Sequence, residues 1–147
     1  MIIITQNVIY EPMYKTRIYY QDTDAGGVVY FANYLKFAEK SWFEFLASIG
    51  IFLPDWEKID TYIIVKTVHL ELIDMVKHGD LITVETSVKD VKNVYFILEH
   101  KVFRDEKLTT KIETTMVCIN SKGRPKRIPE DFKEKLLHYK EEYIGHS

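Results

Sequence analysis

The sequence predicts an α+β fold in which an antiparallel sheet wraps around one long helix. Three observations carry that expectation. Apolar residues between Asn33 and Ile49 recur at the helical period, whereas from Thr61 onward the period falls to two. The later segments are joined mostly by turns too short for a parallel crossover, so they should pair antiparallel. A sheet with one dry face needs cover, and the aromatic helix is the cover available.

The elements follow in order. Tyr14 to Tyr20 reads as a first strand. The helix runs from about Asn33 to Ile49: at ~100° per residue, Tyr34, Leu35, Ala38, Trp42, Phe45, Leu46 and Ile49 fall within an arc of about 120°. Lys36, Lys40, Ser41, Glu44 and Ser48 populate the other side, and Gly50 is a natural stop. Phe37 and Phe43 lie off the arc, which predicts contacts on a second face and, with the exposed strand edges, dimerisation. Thr61 to Ile73 is a long strand ending before a His78-Gly79-Asp80 turn. Ile82, Val84, Thr86 and Val88 then alternate cleanly with Thr83, Glu85, Ser87 and Lys89, a strand with one wet face. Val94 to Phe103 and Lys111 to Ile119 are rich in β-branched and aromatic residues and read as two more. The joints are Val91-Lys92-Asn93 and Asp105-Glu106-Lys107, so the four strands form a meander-like succession. Pro129-Glu130-Asp131 opens a helix reaching Tyr143, its acids placed where the dipole favours them.

Composition narrows the class. At 147 residues and 46% hydrophobic, the chain suits a single domain, 1–147, with a real core rather than a disordered segment. A net charge of −2 argues against nucleic-acid binding. Cys118 is the lone cysteine, which rules out an internal disulfide or a multi-cysteine zinc site. No apolar run approaches the ~20 residues of a membrane span. Ile2 to Ile4 give way at once to polar Thr5, Gln6 and Asn7, unlike a secretory leader. A soluble, cytoplasmic protein is expected.

The segment from Tyr20 to Tyr34 is where chemistry could reside. Asp22 and Asp24 close a strand, Gly26 and Gly27 follow, and the main helix begins soon after. Glycines let backbone approach a ligand, and unpaired N–H groups at a helix start stabilise negative charge. A carboxylate there can act as base or nucleophile beside an oxyanion site. The other reading is a plain turn in which both aspartates cap backbone amides. The pattern argues against a calcium loop: counted from Asp22, position 5 is Gly26 and position 12 is Asn33, so two essential ligands are missing.

The run Asp22-Thr23-Asp24-Ala25, then Gly27-Val28-Val29-Tyr30, with Tyr34 and Glu39 beyond, resembles the signature of the 4-hydroxybenzoyl-CoA thioesterase family, in its Tol-Pal-associated acyl-CoA thioesterase branch. His69-Leu70-Glu71 and Gly79-Asp80-Leu81 extend the likeness over nearly the whole chain. The resemblance implies a hotdog fold, an antiparallel sheet around a long central helix, and hydrolysis of acyl-CoA to a free acid and coenzyme A without metal or other cofactor. It implies Asp24 as the catalytic carboxylate, by attack on the carbonyl or by activating water, with the helix-start amide near Phe31 polarising the thioester. Gly27 and Tyr30 of the same turn are substrate-binding candidates. Many members of the branch carry histidine where this chain has Phe31, and arginine where it has Trp42; phenylalanine keeps the backbone N–H and lacks the imidazole. A homodimer is the implied minimum and a tetramer is common in the branch. The rival readings are a hotdog hydratase or dehydratase, which needs a histidine with an acidic partner, and a non-catalytic acyl-binding module.

Three further features remain. Glu39 is expected as a structural partner on the helix, and His69 as a strand residue satisfied by hydrogen bonding. Lys122, Arg124, Lys126 and Arg127 follow the last strand; they read either as a solvated loop or as a dock for the coenzyme's phosphates. Lys89 and Lys92 are weaker candidates for that dock.

Overall fold

A computed structural model of the chain describes residues 3–5, 8–10 and 13–140. The N-terminal strands β1 (Ile3–Thr5) and β2 (Val8–Tyr10) pair with each other antiparallel. Then come β3 (Met13–Arg17), α1 (Asn33–Ser48), the short α2 (Leu53–Trp56), β4 (Tyr62–Leu72), β5 (Leu81–Val91), β6 (Tyr95–Arg104), β7 (Lys107–Ile119) and α3 (Glu130–His138). Single turns of 3-10 helix occupy Tyr20–Asp22 and Glu57–Ile59. The main sheet has five strands in the order β3-β5-β6-β7-β4, with every neighbouring pair antiparallel.

Alternation decides which face α1 covers. Val84 and Val88 on β5, Phe96, Leu98 and Val102 on β6, and Ile112 and Met116 on β7 are all buried. These residues pack against α1 in two apolar clusters, and the result is the expected α+β hotdog arrangement. One cluster, toward the start of α1, gathers Ile18, Val29, Tyr34, Phe37, Val84 and Ile112. The other, toward its end, gathers Trp42, Phe45, Leu46, Phe96 and Met116, and α3 closes it with Phe132 and Leu136.

The structure departs from the sequence expectation in five places. Only β5, β6 and β7 form a meander; β4 lies at the far edge, paired with β7 from Tyr62↔Ile119 to Leu72↔Thr110. Residues 73–80 are therefore a crossover, not a hairpin turn: Ile73 and Asp74 both donate N–H to Thr109, and the chain then passes Val29 and Ile18 before β5 begins. The buried face of α1 is wider than the apolar arc, because a curved sheet reaches around the helix. Phe37 and Ser41 are buried, Leu35 is exposed, and Phe43 packs edge-on against Phe52, 5.9 Å between ring centres. Phe37 is thus internal and Phe43 is half-buried against the chain's own Phe52, so neither needs a second subunit to cover it. The first strand of the main sheet stops at Arg17, because the Asp22 carboxylate takes the Tyr19 N–H and winds the chain into a 3-10 turn. Finally, α3 stops at His138; Lys140 bridges to Val88 of β5 and its ammonium pairs with Asp90, while residues 141–143 lie outside the described residues.

Exposed apolar surface concentrates on the edge strand. Ile64, Val65, Val68 and Leu72 of β4 are each at least 41% exposed, on an open edge 11 residues long. Among the described residues, no helix is long and apolar enough to cross a membrane.

Candidate active site

The Asp22–Tyr30 segment folds into two short antiparallel arms. Asp24 N–H donates to Val28 O at 2.9 Å, and Tyr30 N–H donates to Asp22 O at 3.0 Å, with Thr23 and Val29 bridged between them. Gly27 turns the corner at φ 79°, a left-handed conformation that favours glycine, and donates its N–H to Asp24 O at 3.0 Å. Gly26 serves a different purpose. Its N–H donates to Asp24 Oδ1 at 2.8 Å, and a Cβ on it would come within 3.2 Å of that same oxygen. Val28 bridges to Lys77, and Val29 N–H donates to Val76 O, which fixes the turn against the crossover.

The two aspartates diverge here. Asp22 is a structural residue: its carboxylate caps Tyr19, and its carbonyl accepts both Tyr30 N–H and the Asn33 side-chain amide. Asp24 is exposed; one oxygen holds Gly26, and no described residue donates to the other.

The start of α1 is equally informative. Asn33, Tyr34 and Leu35 donate their N–H groups back to Tyr30, Phe31 and Ala32. Among the described residues nothing accepts from Phe31 N–H or Ala32 N–H, so these are the open donors of the helix start. The N–H groups of Tyr30 and Gly27, both substrate-binding candidates on sequence, are consumed within the turn. Sequence reasoning reached Phe31 and missed Ala32, although the orphan-donor rule points to both. Phe31 and Tyr30 stand exposed with their rings 4.9 Å apart.

The crossover was also missed as part of the site. Residues Leu72 to Val76 join Val28, Val29 and Tyr34 around a groove of about 230 Å³. Leu72, Ile73 and Met75 are exposed, a patch that the sequence announced only as a strand losing its alternation. The crossover is clamped from outside: the Arg104 guanidinium donates to Met75 O and, at 2.8 Å, to Asp74, which also pairs with Lys107 at 3.0 Å. Lys107, the Met75 N–H and Arg104 together hold the Asp74 carboxyl down to about 2. This clamp operates above the ordinary carboxylate range and is lost only as pH falls toward 2. His78 ends the segment, its ring stacked on Tyr20 at 4.6 Å and its Cδ2 3.8 Å from where a Cβ on Gly27 would lie.

The remaining sequence candidates lie elsewhere. Glu39 is exposed on α1 and His69 is exposed on β4, and neither side chain has a hydrogen-bond partner among the described residues; the expected structural bonds are not there. The basic loop follows β7 at the Tyr62 end of β4, whereas the Asp24 turn lies by the Leu72 end. Within one chain the two are separated by roughly 30 Å of strand. Lys126 is not free to dock anything: its ammonium donates to Ile59 O, Asp60 O and Thr61 Oγ1 at 3.0–3.3 Å. Lys122, Arg124 and Arg127 are exposed. Lys89 pairs with Glu113 at 2.6 Å and Lys92 with Asp90 at 3.4 Å. Among the described residues no group of three or more His, Cys, Asp or Glu is placed to hold a metal.

The profile of the thioesterase-like superfamily matches residues 19–136, which takes in the turn, the helix, the crossover and the sheet. The chain belongs to this superfamily. It is 33% identical over 129 residues to the acyl-CoA thioesterase YbgC of Haemophilus influenzae, covering 86% of this chain and 95% of that one. It is 32% identical over 127 residues to the 1,4-dihydroxy-2-naphthoyl-CoA hydrolase of Microcystis aeruginosa, covering 86% and 90%. A Staphylococcus aureus protein solved in complex with CoA shares the fold at TM-score 0.81 and 20% identity, with 92% of each chain covered. The enzyme is thus a thioester hydrolase of the thioesterase-like superfamily, built on the hotdog fold.

Proposed function

We propose that this thioesterase hydrolyses acyl-CoA to a free carboxylic acid and coenzyme A, with Asp24 as the catalytic carboxylate and the Phe31 and Ala32 N–H groups as the oxyanion site. The observation that carries the reading is the pairing of two unclaimed helix-start donors with an adjacent carboxylate whose second oxygen is uncommitted. The thioester oxygen takes up negative charge as the carbonyl is attacked, and fixed N–H donors at a helix start stabilise that charge. If Asp24 attacks, the C–S bond breaks to release the thiolate of coenzyme A, and water then opens the mixed anhydride. If Asp24 takes a proton from water, the resulting hydroxide attacks and the same bond breaks. Single turnover in ¹⁸O water tests the first route, since label in the enzyme carboxylate arises only when water opens a mixed anhydride at the Asp24 carbon. The family names of the relatives support acyl-CoA as substrate. The test is thiol release across acyl-CoAs of increasing chain length and across aromatic acyl groups. No release from any of them would overturn the reading.

The same reading includes a second copy of the chain. The open edge of β4 bears exposed aliphatic residues, the kind of edge that isolated proteins protect and dimers pair. Antiparallel pairing of two β4 edges about a two-fold axis would bring the Leu72 end of one protomer to the Tyr62 end of its partner. The basic loop of each chain would then serve the other chain's Asp24 site. Arg124→Ala with Arg127→Ala should raise KM for acyl-CoA about tenfold and leave kcat little changed, because phosphate contacts bind ground and transition states alike. Lys126 is left alone, since its bonds are structural. Mixing this variant with Asp24→Asn should restore low-KM turnover, because each mixed dimer regains one complete site. If mixing leaves KM high, the loop does not act across the two chains.

A further inference from the structure

Between the two apolar clusters lies a row of buried polar side chains that the chemistry above does not use. Ser41 of α1, Thr86 of β5, His100 of β6 and Thr114 of β7 are none of them more than 3% exposed. Thr86 lies between Val84 and Val88, His100 between Leu98 and Val102, and Thr114 between Ile112 and Met116, so the row crosses all three central strands and ends on the helix. The bonds are continuous. Ser41 Oγ is 3.2 Å from Val84 O and 2.7 Å from Thr86 Oγ1; His100 Nδ1 is 2.9 Å from Thr86 Oγ1, and its Nε2 is 2.9 Å from Thr114 Oγ1.

Counting protons fixes the direction of every bond. A carbonyl can only accept, so Ser41 gives its one proton to Val84 O and must accept from Thr86. Thr86 has then used its proton, so it must accept from His100, which places the ring proton on Nδ1. Nε2 is left as an acceptor, and Thr114 donates to it. Burial pushes the His100 pKa down to about 3, so the ring stays neutral in this single tautomer across any ordinary working pH. Burying such groups is costly unless all are bonded, and among the described residues no buried side-chain nitrogen or oxygen lacks a partner.

We infer that this chain of hydrogen bonds is a positioning device for the helix-start amides: Ser41 sets the axial position and rotation of α1, and with them where the Phe31 and Ala32 N–H groups point. The inference rests on the proposed role of those amides. Apolar contact between a helix and a sheet is non-directional, and such cores lose uniqueness before they lose stability. A one-way hydrogen-bonded chain admits a single arrangement. It lies where the helix passes from the cluster beneath the turn to the cluster at the far end. Ser41 is ~12 Å along the axis from Asn33, and a helix carries a shift at one point to its end. A misplacement of about 1 Å can cost up to 10²-fold in rate.

The test combines kinetics with ¹⁵N NMR of the histidine ring. In the wild-type protein His100 should be the Nδ1–H tautomer, the minor neutral form of free histidine. Ser41→Ala removes the acceptor that aligns Thr86, so His100 should populate Nε2–H, and kcat should fall about tenfold at nearly constant KM. Thr86→Val, which keeps the volume and removes the central hydroxyl, should do the same if Ser41→Ala proves unstable. Ser41→Thr retains the hydroxyl and should restore both the tautomer and kcat. When Phe31→Pro is already present, Ser41→Ala should add less than its full loss, because only the Ala32 donor is left to misplace. Normal kcat in a folded Ser41→Ala protein, an Nε2–H ring in the wild type, or fully additive losses in the double variant would each overturn the positioning role. Failure of the Phe31 donor has a different signature, namely full activity in Phe31→Pro alone, which leaves the Ala32 N–H as the oxyanion donor.

Discussion

Asp24→Asn is expected to lower kcat for acyl-CoA by at least about 10²-fold, and by up to about 10⁴-fold, with coenzyme A affinity and thermal stability close to wild type. The structure explains why the loss should be clean. The bond that shapes the turn uses only the Oδ1 acceptor, which receives the Gly26 N–H, and asparagine offers an acceptor of the same size. Asparagine can neither attack a thioester carbon nor take a proton from water. Both routes therefore stop, while the Val28 and Gly27 bonds to the Asp24 main chain remain. Thiol release, calorimetric titration with coenzyme A and a melting curve together check the claim. A folded variant within about threefold of wild type would move the catalytic role to another group.

Phe31→Pro should reduce kcat by about 10²–10³-fold, the usual cost of one oxyanion donor. Proline at a helix start is ordinarily tolerated, and here it removes an N–H that no described residue accepts. Tyr30, the residue before it, lies outside any helix, so the following proline interrupts no helical hydrogen bond of its neighbour. Phe31→His supplies the control: it keeps the N–H and should remain within roughly tenfold of wild type. Near-normal kcat in a folded Phe31→Pro protein would assign the oxyanion to Ala32 alone. It could not pass to Tyr30 or Gly27, whose N–H groups are already bonded to Asp22 and Asp24.

Much of this was legible in the sequence. The period of two across Ile82 to Val88 placed β5 and its buried face, and the apolar repeat placed α1 to within a residue of its end. The motif around Asp24 located the turn. What the sequence hid was mostly non-local. Nothing in Thr61 to Ile73 says that its partner is β7 rather than β5, because pairing depends on which sheet edges remain open once β3 has taken one of them. Phe37 and Ser41 looked outward on a helical wheel because a wheel assumes one flat contact, and the sheet is curved. His100 is instructive in the other direction. It occupies an inward position between Leu98 and Val102, so its burial could have been read from alternation, but its three hydroxyl companions come from elements far apart in sequence. The commitment of Lys126 could not have been read at all, since its acceptors lie more than sixty positions earlier.

That lysine has a consequence for the loop that carries it. With its ammonium on Ile59, Asp60 and Thr61, and with Asp60 Oδ1 accepting the Ser121 N–H at 3.0 Å, the segment between β7 and α3 is fastened at Ser121 and Lys126 to the stretch just ahead of β4. Asn120 tightens it further by accepting the N–H groups of Lys122 and Arg124. Arg124 and Arg127 therefore extend from a backbone whose conformational freedom is already lost on folding. An anion that meets them need order only two side chains, not a loop, and so keeps more of the free energy of each contact as affinity.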